Sequence, residues 1–301
     1  MAQVLISGAS GLIGKKLTAL LLEKGHTVKH LGRKENLNSR TPCYKWDLDK
    51  GEIDEHAFEN IDTVVHLAGA GIADEKWTEA RKKEIIDSRV ISSKLLASEI
   101  NKRGNQIKTF VGASAVGIYG AITNEKVYTE TDVACDDFMG NTCKQWEESY
   151  NDINKNIRLN IIRIGVVLSK DGGALPKISK TIKMGIGSAL GSGKQYMPWI
   201  HIDDLVGLFY EAITNQSMHG IYNGVAPMHV NNKELSKAIA QTLHKPFFMP
   251  AVPKFVLKLI LGEMSVIVLE GVKVSAEKTK GIPFNYKHPE LKGALEDLLM
   301  K

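Results

Sequence analysis

Cysteine is scarce in this chain: Cys43, Cys135 and Cys143 are the only three, and none stands in a CxxC pair. That usage excludes a disulfide-framed domain and leaves a structural zinc site without ligands. No apolar run approaches the ~20 residues that a membrane span requires. The first residues open directly on Gln3-Val4-Leu5-Ile6-Ser7 and lack the successive basic, apolar and small-residue regions of a signal peptide. The expectation is a cytoplasmic protein with no membrane among its partners. Charge of one sign is not concentrated either. Lys and Arg number 39 against 34 Asp and Glu and are read as dispersed among them, giving a formal charge of +5. A nucleic-acid footprint needs a clustered basic stripe, so no nucleic acid is expected, and anionic small molecules remain as ligands. Internal repeats and low-complexity tracts are absent too.

What is present is an ordinary globular composition. The 301 residues are 43% apolar and 24% charged, which supplies a sizeable core for one large α/β domain or two lobes. Strand and helix signals alternate through the first half. Val4–Ile6 is a short apolar run ending in glycine. Leu12–Leu22 carries helical spacing and stops at Gly25. His26–Leu31, Thr63–Leu67, Thr109–Gly112 and Leu159–Ile164 read as strands, with helices predicted near Thr78–Asn101 and Thr142–Lys155. This rhythm predicts an α/β fold, a Rossmann-type doubly wound parallel sheet with a smaller C-terminal substrate lobe. The Rossmann domain is placed at 1–170, with segments near 195–230 rejoining it. The smaller lobe is placed at 171–301 and includes a C-terminal segment at 245–295. Gly185–Gly193 reads as a loop, and Asp203–Thr214, Asn231–Leu243 and Phe255–Leu261 as helices.

The strongest motif is Gly8-Ala9-Ser10-Gly11-Leu12-Ile13-Gly14, which follows a strand and opens a helix. Glycines permit the tight turn and the close approach of a phosphate, and the helix N–H groups favour negative charge. A dinucleotide site is therefore expected. NAD sites place an acid about 20 residues further on, at the second strand's end. Here that place is held by Gly32 and Arg33. A guanidinium suits a 2′-phosphate, so NADP (NADPH/NADP+) is expected rather than NAD. Asp47 either accepts a hydrogen bond from the adenine amino group or is a plain loop acid.

These residues resemble the extended short-chain dehydrogenase/reductase superfamily. Further motifs are similar to one atypical branch of it, the epimerase family proteins: Leu67-Ala68-Gly69-Ala70-Gly71-Ile72, Lys76-Trp77-Thr78, Asp87-Ser88-Arg89, Pro198-Trp199-Ile200-His201-Ile202-Asp203-Asp204, Asn223-Gly224-Val225-Ala226-Pro227 and Gly262-Glu263-Met264. The resemblance spans nearly the whole chain, including a C-terminal domain of unknown function from about residue 245. It implies NADP(H) at the strand ends, with the Gly8 loop on the pyrophosphate and Gly32 and Arg33 at the adenosine phosphate. It places Leu67, Ala68 and Gly69 along the cofactor and Val166 beside the nicotinamide. It also implies that Glu84 and Arg89 reach toward the dinucleotide, although without that resemblance the two read more readily as a surface ion pair. A homodimer is a further expectation from the superfamily.

One departure bears on the chemistry. Members of the superfamily use a Tyr followed four residues later by Lys, the ammonium lowering the phenol pKa for proton transfer. None of the eight Tyr residues here has a Lys at that spacing. Aligning Glu147 with the acid that follows the pair puts Met139 at the Tyr position and Cys143 at the Lys position. The residues left as candidate catalysts are Ser114, at the substrate-orienting serine position, and Tyr119, in the following loop. Either residue also reads as structural: Ser114 as a cap, Tyr119 as a packed phenol with its hydroxyl satisfied. His201 reads as a loop anchor rather than a base, with Asp203 as the expected cap of the next helix. Two functions follow. One is an NADP(H)-dependent epimerase or oxidoreductase acting on an unidentified small molecule, nucleotide-sugar-like in class. The other is a non-catalytic NADP(H) redox sensor.

Overall fold

The computed structural model describes residues 1–300. Its strands are β1 (Gln3–Ser7), β2 (Thr27–Gly32), β3 (Cys43–Asp47), β4 (Glu52–Ile53), β5 (Thr63–His66), β6 (Thr109–Ala115), β7 (Val127–Tyr128), β8 (Arg158–Ile164), β9 (Val166–Ser169), β10 (Gly172–Gly173), β11 (Trp199–His201), β12 (Gly220–Gly224) and β13 (Lys273–Val274). The α-helices are α1 (Leu12–Glu23), α2 (Glu79–Lys102), α3 (Phe138–Glu148), α4 (Ala174–Lys183), α5 (Ile202–Thr214), α6 (Asn232–Thr242), α7 (Lys254–Leu261), α8 (Val266–Leu269), α9 (Glu277–Lys280) and α10 (Leu291–Met300).

The central sheet has the order β12-β8-β6-β5-β1-β2-β3-β4. Every pairing in it is parallel except that of β4 with β3. Parallel strands are covered on both faces, so they read as continuous apolar runs: Val4, Leu5 and Ile6 of β1 are all fully buried. Helix α1 packs beside α5, and α2 beside α3. The chain reverses its direction of strand addition between β1 and β5, which opens a crevice at their carboxyl ends. A second, three-stranded sheet, β10-β9-β11, continues from β8. No described helix is long and apolar enough to cross a membrane.

Helix ends follow local chemistry. Thr78 caps α2 by accepting from Arg81 N (3.1 Å), and Asp137 caps α3 by accepting from Gly140 N (2.7 Å). Because of Asp137, α3 begins earlier than the predicted Thr142 start. It also ends at Glu148, where Ser149–Asp152 tightens into a 3-10 turn rather than continuing to Lys155. The cap of α5 is His201, not Asp203: its Nδ1 accepts from Asp203 N at 3.1 Å. Asn231 and Glu234 form a capping box at α6.

A fully buried histidine ties the sheet to α2 beneath the crevice. Ser7 Oγ lies 2.6 Å from His66 Nδ1, and Ser92 Oγ 3.1 Å from Nε2. Ser92 donates its own proton to Ser88 O (2.6 Å), so Nε2–H donates to Ser92 and Nδ1 accepts from Ser7. This ring is held neutral: burial lowers its pKa to about 3, with the Arg89 charge adding. The unfolded chain binds a proton below about pH 6.5 that the folded chain refuses. Stability from this group is therefore present above pH 6.5 and lost as pH falls toward 3. Urea denaturation is expected to show about 2 kcal/mol lost through this ring between pH 6.5 and 5. His66→Gln should flatten the acid limb of the profile by that amount.

Candidate functional site

The crevice between β1 and β5 is a groove of ≈520 Å³, bordered by the Gly8 loop, Gly32, Arg33 and the Leu67–Gly71 segment. It continues past Gly8, Gly11 and Leu67 into a ≈310 Å³ hollow bounded by Leu12, Val166 and Gly173. On the other side it continues past Arg33, Trp46 and Glu84 into a ≈710 Å³ hollow that includes Asp47. The result is one trough along the carboxyl edge of the sheet, long in one direction and open.

The three motif glycines do different work. Gly8 has φ +72°, and a Cβ there would lie 2.7 Å from the Leu67 and Ala68 backbone, so it lets β1 and β5 run close at the crevice. A Cβ on Gly14 would lie 2.5 Å from Gly8 O and 2.6 Å from Ala9 Cα, so Gly14 seats α1 on the loop. A Cβ on Gly11 would meet only Gly8 O, at 3.2 Å. Its open side faces the trough, where the groove and the smaller hollow adjoin it. No side chain caps α1 at Gly11, which leaves the helix N–H groups to an anion. Ser10 lines the trough beside them, and Ile13 and Gly14 line the smaller hollow.

Arg33 is exposed and borders both the groove and the larger hollow. Asp47 accepts from Lys50 N at 3.2 Å and lies 4.0 Å from Lys45 Nζ. Glu84 reaches the trough, but its partner is Arg81 (2.7 Å) rather than Arg89. Arg89 is turned under the loop instead. Its guanidinium lies 4.9 Å from the Trp146 ring, its Nη1 donates to Ile85 O, and a Cβ on Gly69 would touch it at 3.3 Å. Arg81 went unnoticed in the sequence. It is buried, donates to Gly71 O at 2.7 Å and lines the trough with Asp74 and Glu75. Its one sequence signal is the i, i+3 spacing to Glu84 behind the Thr78 cap.

The structure places the two candidate catalysts together, though not at the trough wall. Ser114 and Tyr119 are each 1% exposed. Ser114 Oγ donates to Glu147 Oε1 (2.6 Å) and Tyr119 Oη donates to Asn223 Oδ1 (2.7 Å). Between them, Arg163 grips Glu147 with Nε and Nη2, both at 2.8 Å, and donates through Nη1 to Tyr119 Oη at 3.0 Å. Burial pushes the Tyr119 phenol up to about 12, against the opposing pull of Arg163. Both hydroxyl protons are thus committed to internal acceptors, which runs against the expected role of either residue in proton transfer. Met139 and Cys143 face the same loop: a Cβ on Gly117 would lie 3.5 Å from Met139 Cβ and 3.8 Å from Cys143 Sγ. Burial raises the Cys143 thiol to about 12, with Glu147 adding. The positions that superfamily members give to Tyr and Lys are filled here by packing.

A parallel sheet ordered about a β1/β5 switch point, with a glycine loop and an uncapped helix beside it, defines a Rossmann-type nucleotide-binding protein of the short-chain dehydrogenase/reductase kind. Residues 4–223 match the NAD dependent epimerase/dehydratase family, to which the chain belongs, and residues 252–298 match a domain of unknown function, DUF1731. The chain is similar to the epimerase family protein SDR39U1 homolog, chloroplastic, of Arabidopsis thaliana, at 36% identity over 98% of this chain and 86% of that one. It is also similar to the crystal structure of human epimerase family protein SDR39U1 (isoform 2) with NADPH, with a TM-score of 0.90, 32% identity and 99% of each chain covered. A nucleoside-diphosphate sugar epimerase from Corynebacterium glutamicum superposes with a TM-score of 0.81 at 29% identity, over 99% of this chain and 58% of that one.

Proposed function

We propose that the chain binds NADP(H) along the trough and presents the nicotinamide to an unidentified small molecule, as an epimerase or oxidoreductase of its family. The observation that carries this reading is the open side of Gly11 beside an uncapped helix N-terminus, with Arg33 at the far end of the same trough. Gly8, Ser10, Gly11 and the first turn of α1 hold the pyrophosphate. Gly32 and Arg33 hold the adenosine phosphate, and Asp47 lies toward the adenine. Leu67, Ala68 and Gly69 line the middle, and Leu12 and Val166 flank the nicotinamide. Glu84 and Arg81 close the trough from α2, and Arg89 supports Gly69 from below. The bound cofactor would supply or accept a hydride. NADPH in the similar human structure supports the choice of cofactor, and the Corynebacterium sugar epimerase makes nucleotide sugars the first substrates to try. A cytoplasmic location fits the free thiols of Cys43, Cys135 and Cys143.

The redox-sensor reading is favoured by a specific observation: Ser114 and Tyr119 are both spoken for by the Glu147–Arg163 pair. A titration with NADPH, NADP+ and NADH addresses both readings. Arg33→Glu is expected to weaken NADPH at least tenfold, roughly 1.4 kcal/mol, and to leave NADH nearly unchanged. Equal binding of NADPH and NADH, indifferent to Arg33→Glu, would overturn the NADP assignment. Similar affinities for NADPH and NADP+ favour a cycling enzyme. A preference above about tenfold for one form, without turnover, favours the sensor.

A further inference from the structure

The basic residues are less dispersed than their overall ratio to acids suggests. Two stretches contain no Asp or Glu: 172–202, with Lys177, Lys180, Lys183 and Lys194, and 244–262, with Lys245, Lys254 and Lys258. The fold joins them. Leu190 pairs with Val252 as an isolated bridge, Gly191 N donates to Val252 O and Val252 N donates to Ala189 O. Of these lysines only Lys254 forms an ion pair among the described residues, with Glu270 at 3.6 Å.

The same stretches carry large exposed apolar side chains. In α7, Leu257 is buried against the protein while Phe255 is 71% and Leu259 80% exposed. Residues four apart share one helix face, so these two make an outward apolar ridge, with Ile260 exposed beside it and Lys254 and Lys258 along its other flank. Phe248 is 75% exposed in the preceding segment, and Met184 and Ile186 are exposed in the adjoining one. Lysines rimming exposed Phe, Leu and Ile, in stretches that carry no acids of their own, are the pattern of a helix lying in a membrane interface.

The geometry points to α7 and its flanking segments as a docking surface for an anionic phospholipid bilayer, with Phe255 and Leu259 entering the acyl boundary and the lysines meeting the headgroups. This is surface association, which the lack of a spanning helix leaves open. A second copy of the chain is the poorer occupant, because a twofold contact would set these lysines against one another while the two acids beside α7, Glu263 and Glu270, are already paired with Lys82 and Lys254. The α7 ridge is also distinct from the trough lining, so docking and cofactor binding are separable.

The test is sedimentation of the full chain with vesicles of phosphatidylcholine alone, or with about one third phosphatidylserine. The expected result is binding to the anionic vesicles at low salt, at least tenfold weaker to phosphatidylcholine alone and weakened by added salt. Phe255→Ser with Leu259→Ser should reduce it at least tenfold, and Lys258→Glu about fivefold, with circular dichroism and NADPH affinity unchanged. Three results would overturn the proposal. One is no sedimentation with anionic vesicles at low salt. Another is sedimentation indifferent to the double substitution. The third is a dimer in light scattering that the double substitution abolishes.

Discussion

Arg163→Met is expected to lower the free energy of unfolding by about 3–5 kcal/mol, the usual consequence of leaving one member of a buried ion pair unpaired. The Arg163 side chain is 5% exposed and that of Glu147 11%. Removing the guanidinium strips Glu147 of two charge-assisted hydrogen bonds and leaves its carboxylate facing Ser114 alone. It also removes the donors to Tyr119 Oη and to Glu130 O. The loss should show in urea denaturation as a lower midpoint with an unchanged slope. The double variant Arg163→Met/Glu147→Gln should recover much of it, because the stranded charge is gone. If the single variant lost under about 1 kcal/mol, the pair would have to be reached by water and the description of a closed network would fail. The functional consequence is direct. With this network structural, Ser114→Ala and Tyr119→Phe should weaken the fold while leaving any turnover nearly unchanged. A proton relay through either hydroxyl requires the opposite.

The cofactor half of the molecule was legible because its determinants are local. Gly8, Gly11 and Gly14 lie within one turn of chain, and β1 and α1 announce themselves by burial pattern and helical spacing. The end of β2, where Arg33 sits, is at a fixed distance from the loop. The interior network was not legible, because Glu147 and Arg163 meet only when α3 is laid over β8. Arg81 stands three residues before Glu84, the spacing of helix neighbours, whereas Arg89 stands five after it and off that face, so spacing favours Arg81 as the partner. What spacing does not show is where Arg89 goes instead: its guanidinium lies over the Trp146 ring of α3. His201 displaced Asp203 as the cap of α5 for a similar reason: burial beside His288, with ring centroids 3.8 Å apart, aims its Nδ1 at the helix N-terminus. The acid-free character of 172–202 and 244–262 was in the sequence throughout. It acquired meaning only when the Leu190–Val252 bridge brought the two stretches together.

Gly11→Val and Gly14→Val should separate binding from folding. At Gly11 an added Cβ meets, beyond its chain neighbours, only Gly8 O at 3.2 Å, and the groove and smaller hollow adjoin it, so the valine methyls are expected to project into the trough. NADPH affinity is expected to fall at least about a hundredfold, roughly 2.7 kcal/mol. Stability should change by about 1 kcal/mol, the cost of a β-branched residue at a helix N-cap. At Gly14 the order reverses. A Cβ there stands 2.5–2.6 Å from backbone atoms of Gly8 and Ala9, which cannot move without lifting α1 off the loop. Overpacking against backbone costs typically 1–3 kcal/mol or more, so Gly14→Val should lower the denaturation midpoint first and lose NADPH as a consequence. Fluorescence titration of both variants, beside urea denaturation of each, reads the two effects separately. If Gly11→Val kept full affinity, the pyrophosphate would not lie against this loop. The open side of Gly11 would then be a feature of the turn alone, and the cofactor site would have to be sought further along the trough, toward Arg33 and Asp47.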